Sequence, residues 1–161
     1  MKRLLVILGL ALAVGGCRDP VLEAKADALE PEPGPYDNGP LHRAGFPCTY
    51  CHAKGGRASP EFDLAGTIYA DQNATEGLAG VTVRLFETSG RQQTATTNEV
   101  GTFLLEPGAL ELDFPLWVRI EFGDEVRSMQ TPIFRERSCA ACHRSPTGPD
   151  RRWPVFLRDL P

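Results

Sequence analysis

The run Val81-Thr82-Val83-Arg84-Leu85-Phe86 puts Val81, Val83 and Leu85 on one face and Thr82, Arg84 and Phe86 on the other. Successive side chains of a strand point to opposite faces, so this spacing predicts a strand with one buried face. A second run repeats the pattern: Val118, Ile120 and Phe122 alternate with Trp117, Arg119 and Glu121. Turn-forming residues separate such runs at Asp71 to Asn73, at Ser89-Gly90, at Asn98 with Gly101, and at Gly123-Asp124. Strands are therefore expected near 62–70, 80–87, 91–97, 101–106, 116–122 and 125–130. Short, evenly spaced strands without helical segments between them predict a mainly β chain built as an antiparallel sandwich.

Within this block, Phe62-Asp-Leu-Ala-Gly66-Thr-Ile-Tyr is followed by Leu78-Ala-Gly80-Val-Thr-Val-Arg-Leu. Then come Thr94-Ala-Thr96-Thr-Asn98-Glu-Val-Gly101-Thr-Phe103 and Pro115-Leu-Trp-Val. The order resembles the carboxypeptidase regulatory-domain-like family over about 70 of the 161 residues. The resemblance implies an Ig-like or prealbumin-like sandwich. It implies no activity, because such modules mostly serve as structural or binding units.

Two pentapeptides flank the block: Cys48-Thr49-Tyr50-Cys51-His52 and Cys139-Ala140-Ala141-Cys142-His143. Cys-x-x-Cys-His is the attachment pattern of c-type haem. Each thiol adds across a haem vinyl group, and two intervening residues let one short turn reach both vinyls. The adjoining histidine then supplies the proximal iron ligand. The expectation is two covalent haem c groups, held by Cys48 and Cys51 and by Cys139 and Cys142, with His52 and His143 on the irons. Two readings compete. Four thiolates could bind a structural zinc, or exported cysteines could pair as disulfides. Neither explains why a histidine follows each pair.

The chain starts Met1-Lys2-Arg3, then an apolar run from Leu4 to Val14, then Gly15-Gly16-Cys17. A basic start, a short apolar core and small residues before a cut site predict a secretory signal. The apolar run is shorter than the roughly 20 residues of a membrane span. Val14-Gly15-Gly16-Cys17 resembles a bacterial lipobox, which implies lipidation of Cys17. The fifth cysteine is then an anchor, and the other four are two haem pairs. Arg18 stands where an inner-membrane retention aspartate would be expected, so the resemblance implies periplasmic or surface exposure on the outer membrane. As a combination, the chain resembles small di-haem c-type lipoproteins of Gram-negative bacteria.

Five segments follow: a signal peptide at 1–16, a Pro-rich tether at 17–41, a first haem-binding segment at 42–60, the sandwich at 61–131 and a second haem-binding segment at 132–161. Pro31, Pro33, Pro35 and Pro40 mark the tether as extended. A short helix over 21–30 would be marginal alone. The 31 residues from Cys17 to Cys48 could reach at most about 100 Å. Without Lys2 and Arg3, 15 of the 17 basic residues remain against 21 acidic ones, a formal charge of −6. No basic patch predicts nucleic acid as a partner.

Distal ligands are scarce. His42, His52 and His143 are the three histidines, and Met129 is the methionine that remains after the leader. His42 could cap either haem, reaching its own only if the chain loops back. Met129 could be a ligand or a core residue of the last strand. Trp117 and Trp153 could pack on haem edges or cover the core. Arg144, Arg151 and Arg152 could pair with haem propionates. Gly55-Gly56 and Pro146-Thr-Gly148-Pro read as turns. No Ser/His/Asp set, phosphate-cradling glycine loop or paired carboxylates mark a catalytic site. The expected function is electron transfer, with other cytochromes or a membrane oxidoreductase as partners. The alternatives are a haem enzyme or small-ligand sensor with an open iron, and a non-haem surface-binding sandwich.

Overall fold

The computed structural model describes residues 18–31, 36, 38–74, 76–143 and 153–158. The leader with Cys17, the arginines Arg144, Arg151 and Arg152, and the turn from Pro146 to Pro149 lie outside the described residues. In chain order the elements are α1 (Pro20–Asp27), α2 (Thr49–His52), β1 (Leu64–Asp71), β2 (Thr82–Glu87), β3 (Gln92–Thr96), β4 (Thr102–Leu105), β5 (Leu116–Phe122), β6 (Glu125–Ser128) and β7 (Val155–Arg158). A 3-10 turn occupies Cys139–Ala141. No helix among the described residues is long and apolar enough to cross a membrane.

The strands form two sheets, β4-β1-β7 and β3-β2-β5-β6. The chain is mainly β, as the alternation requires, and the six expected strands lie within two residues of the observed ones. All pairings are antiparallel except β1 with β7, where Ile68 pairs with Val155 and Tyr69 with Phe156 in parallel. The sandwich is therefore mixed, and β7 is a strand that the alternation did not predict. Leu64, Ile68, Phe103 and Leu157 from one sheet meet Val83, Leu85, Leu116 and Ile120 from the other in the core. Gly101 (φ +74°) turns the chain between β3 and β4, where Asn98 Oδ1 accepts from Val100 and Thr102 N–H.

The inward face of β2 ends in a charge. Glu87 is 4 % exposed, and its carboxylate accepts from Arg91, from Gln93 Nε2 at 2.9 Å and from Asp113 N–H at 2.8 Å. Arg91 also donates to Glu111 O. One satisfied carboxylate thus ties the β2–β3 hairpin to the segment entering β5. Arg91 beside it holds the Glu87 carboxyl at about 2, against 4.5 for a free one. A lowered native value stabilises above the unfolded value, and that stabilisation is lost as pH falls from about 4.5 to about 2. Denaturant unfolding should therefore show stability dropping across that window. Glu87→Gln should flatten the drop and cost roughly 1–3 kcal/mol at pH 7 by leaving Arg91 without its carboxylate.

Candidate functional site

Both pentapeptides fold into the same turn. In the first, the Cys51 and His52 amides donate to Cys48 O at 3.1 and 3.0 Å. In the second, the Cys142 and His143 amides donate to Cys139 O at 3.1 and 2.8 Å. Each histidine is also oriented in the same way. His52 Nδ1 lies 2.6 Å from Pro60 O, and His143 Nδ1 lies 2.8 Å from Trp153 O. A carbonyl only accepts, so Nδ1 carries the proton and Nε2 keeps its lone pair for a metal. A carbonyl or carboxylate behind a ligating imidazole fixes its orientation and raises its basicity.

The two turns sit on β1. Gly45 N–H donates to Thr67 Oγ1 at 2.8 Å, which brings the first segment onto the strand. Arg137 secures the second, its backbone O accepting from Ala65 N–H at 3.0 Å and its guanidinium meeting Asp63 Oδ1 at 3.1 Å. A Cβ on Gly66 would lie 2.8 Å from Cys139 Cβ, Cys139 Sγ and a Phe103 ring carbon, so only glycine lets Cys139 seat there. Cys48 lies near enough to Cys139 to help raise its thiol. The fold therefore brings the two motifs together, although the whole sandwich separates them in sequence.

Of the distal candidates, His42 belongs to the first turn. Gly39, Arg43 and Gly45 have φ of 99°, 52° and 82°, and the chain doubles back through them. The His42 and His52 rings end 5.8 Å apart, tilted by 48°, and the Phe62 ring lies 5.0 Å from that of His52. Met129 follows β6 and bonds through its N–H to Val118 O at 2.9 Å. It is not a fully buried core residue. With Cys139, Cys142, His143 and Trp153 it lines a cavity of about 620 Å³, whose other walls include Ile68, Phe103, Val118 and Phe156. Phe134 and Trp153 are 71 % and 56 % exposed at its margin. Trp117 faces outward from β5, away from the cavity.

The residues present fit a haem. The cavity is of cofactor size and largely apolar. It presents two thiols, an imidazole with a free nitrogen and a thioether. The four described cysteines are free thiols. No group of three His, Cys, Asp or Glu side chains that could hold a metal ion gathers among the described residues. Gly55 and Gly56 form the expected turn, Gly55 with φ of 80° and Gly56 N–H donating to Ala53 O at 2.8 Å. A Cβ on Gly56 would meet the Cys51 and Ala53 carbonyls, so it lets the loop fold back on the motif, where Ala58 N–H donates to Cys51 O.

Sequence reasoning missed the carbonyls of Pro60 and Trp153, for which no side-chain signal exists, and the clasp around the first turn. That clasp is α1, whose N-cap Asp19 accepts from Val21 N–H at 2.8 Å and donates its own N–H to Gly55 O at 2.8 Å. Compared with family models, curated proteins and solved structures, the chain matches none.

Burial pushes the Cys48 thiol to about 11 and the Cys139 thiol to about 12, against 9.0 unperturbed. A thiol reacts as its thiolate, so the first cysteine of each pair is quiet in the folded chain. Timed alkylation of haem-free protein at pH 8, mapped by mass, should label exposed Cys142 at least tenfold faster than Cys139. Gly66→Ala should unseat Cys139, speed its labelling and destabilise the fold by about 1–3 kcal/mol.

Proposed function

We propose that this protein is an exported di-haem c-type cytochrome that transfers electrons and is anchored through lipidated Cys17 to the outer membrane. The observation that carries this reading is the duplicated turn: two segments far apart in sequence share one pattern of backbone hydrogen bonds and one Nδ1-to-carbonyl contact, each with two thiols and an Nε2 left for a metal. Zinc or disulfide chemistry gives no reason for the shared histidine geometry.

Attachment is a simple addition. Each cysteine would supply an S–H for addition across a vinyl C=C, its sulfur bonding one carbon and its hydrogen going to the other, so no oxidant or reductant would be needed. Cys48 and Cys51 would hold one haem, and Cys139 and Cys142 the other. His52 and His143 would be the proximal ligands. The haem supplies an iron that alternates between ferric and ferrous; the chain fixes ligands, dielectric and position. Pro60 O and Trp153 O strengthen their imidazoles as donors. His42, 5.8 Å from His52 ring to ring, would be the candidate second ligand at the first turn, and Met129, in the wall of the cavity, the candidate at the second. Both segments contact β1, which supports a relay between the haems over two isolated terminals. Donor and acceptor are other cytochromes or a membrane oxidoreductase.

Three histidines cannot fill four axial positions, so the two irons differ. A redox titration should resolve two steps. Methionine raises the potential relative to histidine. Met129→Ala should therefore lower the higher step, by on the order of 0.1 V within the roughly 0.8 V that axial ligands span. His42→Ala should alter the other step alone, and the two ferric species should be separable by electron paramagnetic resonance. One unsplit wave, untouched by either substitution, would sink the assignment.

A further inference from the structure

The segment that follows Cys17 is bound to the first turn. Asp19 caps α1 and also bonds to Gly55, three residues after His52. Arg57 reaches across from the same loop, donating to Asp27 Oδ1 at 2.6 Å and to Glu23 O at 2.9 Å, with Glu23 Oε2 at 3.3 Å. Lys25 Nζ sits 4.7 Å above the ring of Tyr50, a residue inside the first Cys-x-x-Cys-His. Farther on, Arg43 donates to Glu30 O at 2.9 Å. Ala26 is buried by this packing. A helix of 8 residues would be marginal alone; here it is stabilised at both ends and along its face.

We infer that α1 is a clasp that holds the first Cys-x-x-Cys-His turn against the lipid surface to which Cys17 is attached. The inference rests on the lipid-anchor reading. Its basis is chain length. Only Arg18 lies between Cys17 and hydrogen-bonded Asp19, two residue steps with a reach of at most about 7 Å, whereas an unbound tether to Cys48 would allow about 100 Å. The acyl chains at Cys17 therefore hold the first turn at headgroup level. Exposed Pro20 and Val21 begin the helix beside the anchor, and the exposed Arg18 and Lys54 side chains lie at the same end of the clasp. The partner is a phospholipid bilayer, selected by the short leash rather than by a headgroup pocket. The first haem would then face membrane-embedded donors or acceptors, and the cavity of the second would be left for a partner from the aqueous side.

Neutron reflectometry of the full lipidated protein on a supported phospholipid bilayer tests this, because it reads protein height without relying on haem. Wild type should show a protein layer in contact with the headgroups. Twenty Gly/Ser residues inserted between Arg18 and Asp19 leave the clasp intact but lengthen the leash to an r.m.s. span of about 25 Å. That variant should recede by about 20 Å, and Lys25→Ala/Arg57→Ala, which opens the clasp, should also recede. Equal heights for wild type and the spacer variant would overturn the proposal. Failure of wild type to remain on the bilayer, with behaviour the same as Cys17→Ser, would overturn the anchor reading and the proposal with it.

Discussion

With no side chain of its own, Gly66 lets Cys139 lie directly against β1, and most of the molecule depends on that contact. The same four-residue stretch, Leu64 to Thr67, pairs with β4, bridges to Ser138 through Ala65, and accepts the first motif's loop through Thr67 Oγ1. Thr67 also shares a hydrogen bond with Thr102 Oγ1 at 3.2 Å. Core packing and site assembly therefore draw on one strand. A side chain at position 66 would displace Cys139 and Phe103 together, so it would disturb the second turn and the core at once. Close packing makes such a junction stiff, because interiors leave little void to absorb a displaced methyl.

What could be read from the sequence follows from the range of each interaction. β2 and β5 were legible because a half-buried strand writes its own alternation. Val155 to Arg158 was not, because four residues after Pro154 carry too little pattern, and its pairing with β1 comes from across the chain. The two cysteine motifs stood out because each repeats one spacing of residue types, and the structure folds each into a tight turn closed on the carbonyl of its first cysteine. His42 was not assignable, since its approach to His52 depends on three left-handed residues, one of them the non-glycine Arg43. The carbonyls behind His52 and His143 come from the backbone, which any sequence supplies. Glu87 looked like one more strand residue, and only the convergence of Arg91, Gln93 and Asp113 explains its burial.

The two turns are alike in backbone and unlike in surroundings. The first is enclosed by aromatic and imidazole rings and by a helix clasped with ion pairs. The second opens into an apolar cavity with a thioether in its wall. On the proposed function, like motifs in different settings would let one short chain hold two irons at separate potentials, since axial ligand, hydrogen bonding and burial are the levers a protein has on such a group. The sandwich supplies rigidity, and its two flanking segments carry the thiols and the imidazoles. Both segments rest on β1, so one strand holds the two turns in place.

The most direct test of the central claim is peptide mass mapping of protein matured with a cytochrome c assembly system. The account expects two tryptic peptides, one spanning Cys48 to His52 and one spanning Cys139 to His143, each heavier by one haem and each absorbing in the Soret region. Both peptides at their unmodified masses, with thiols free or paired as disulfides, would contradict it.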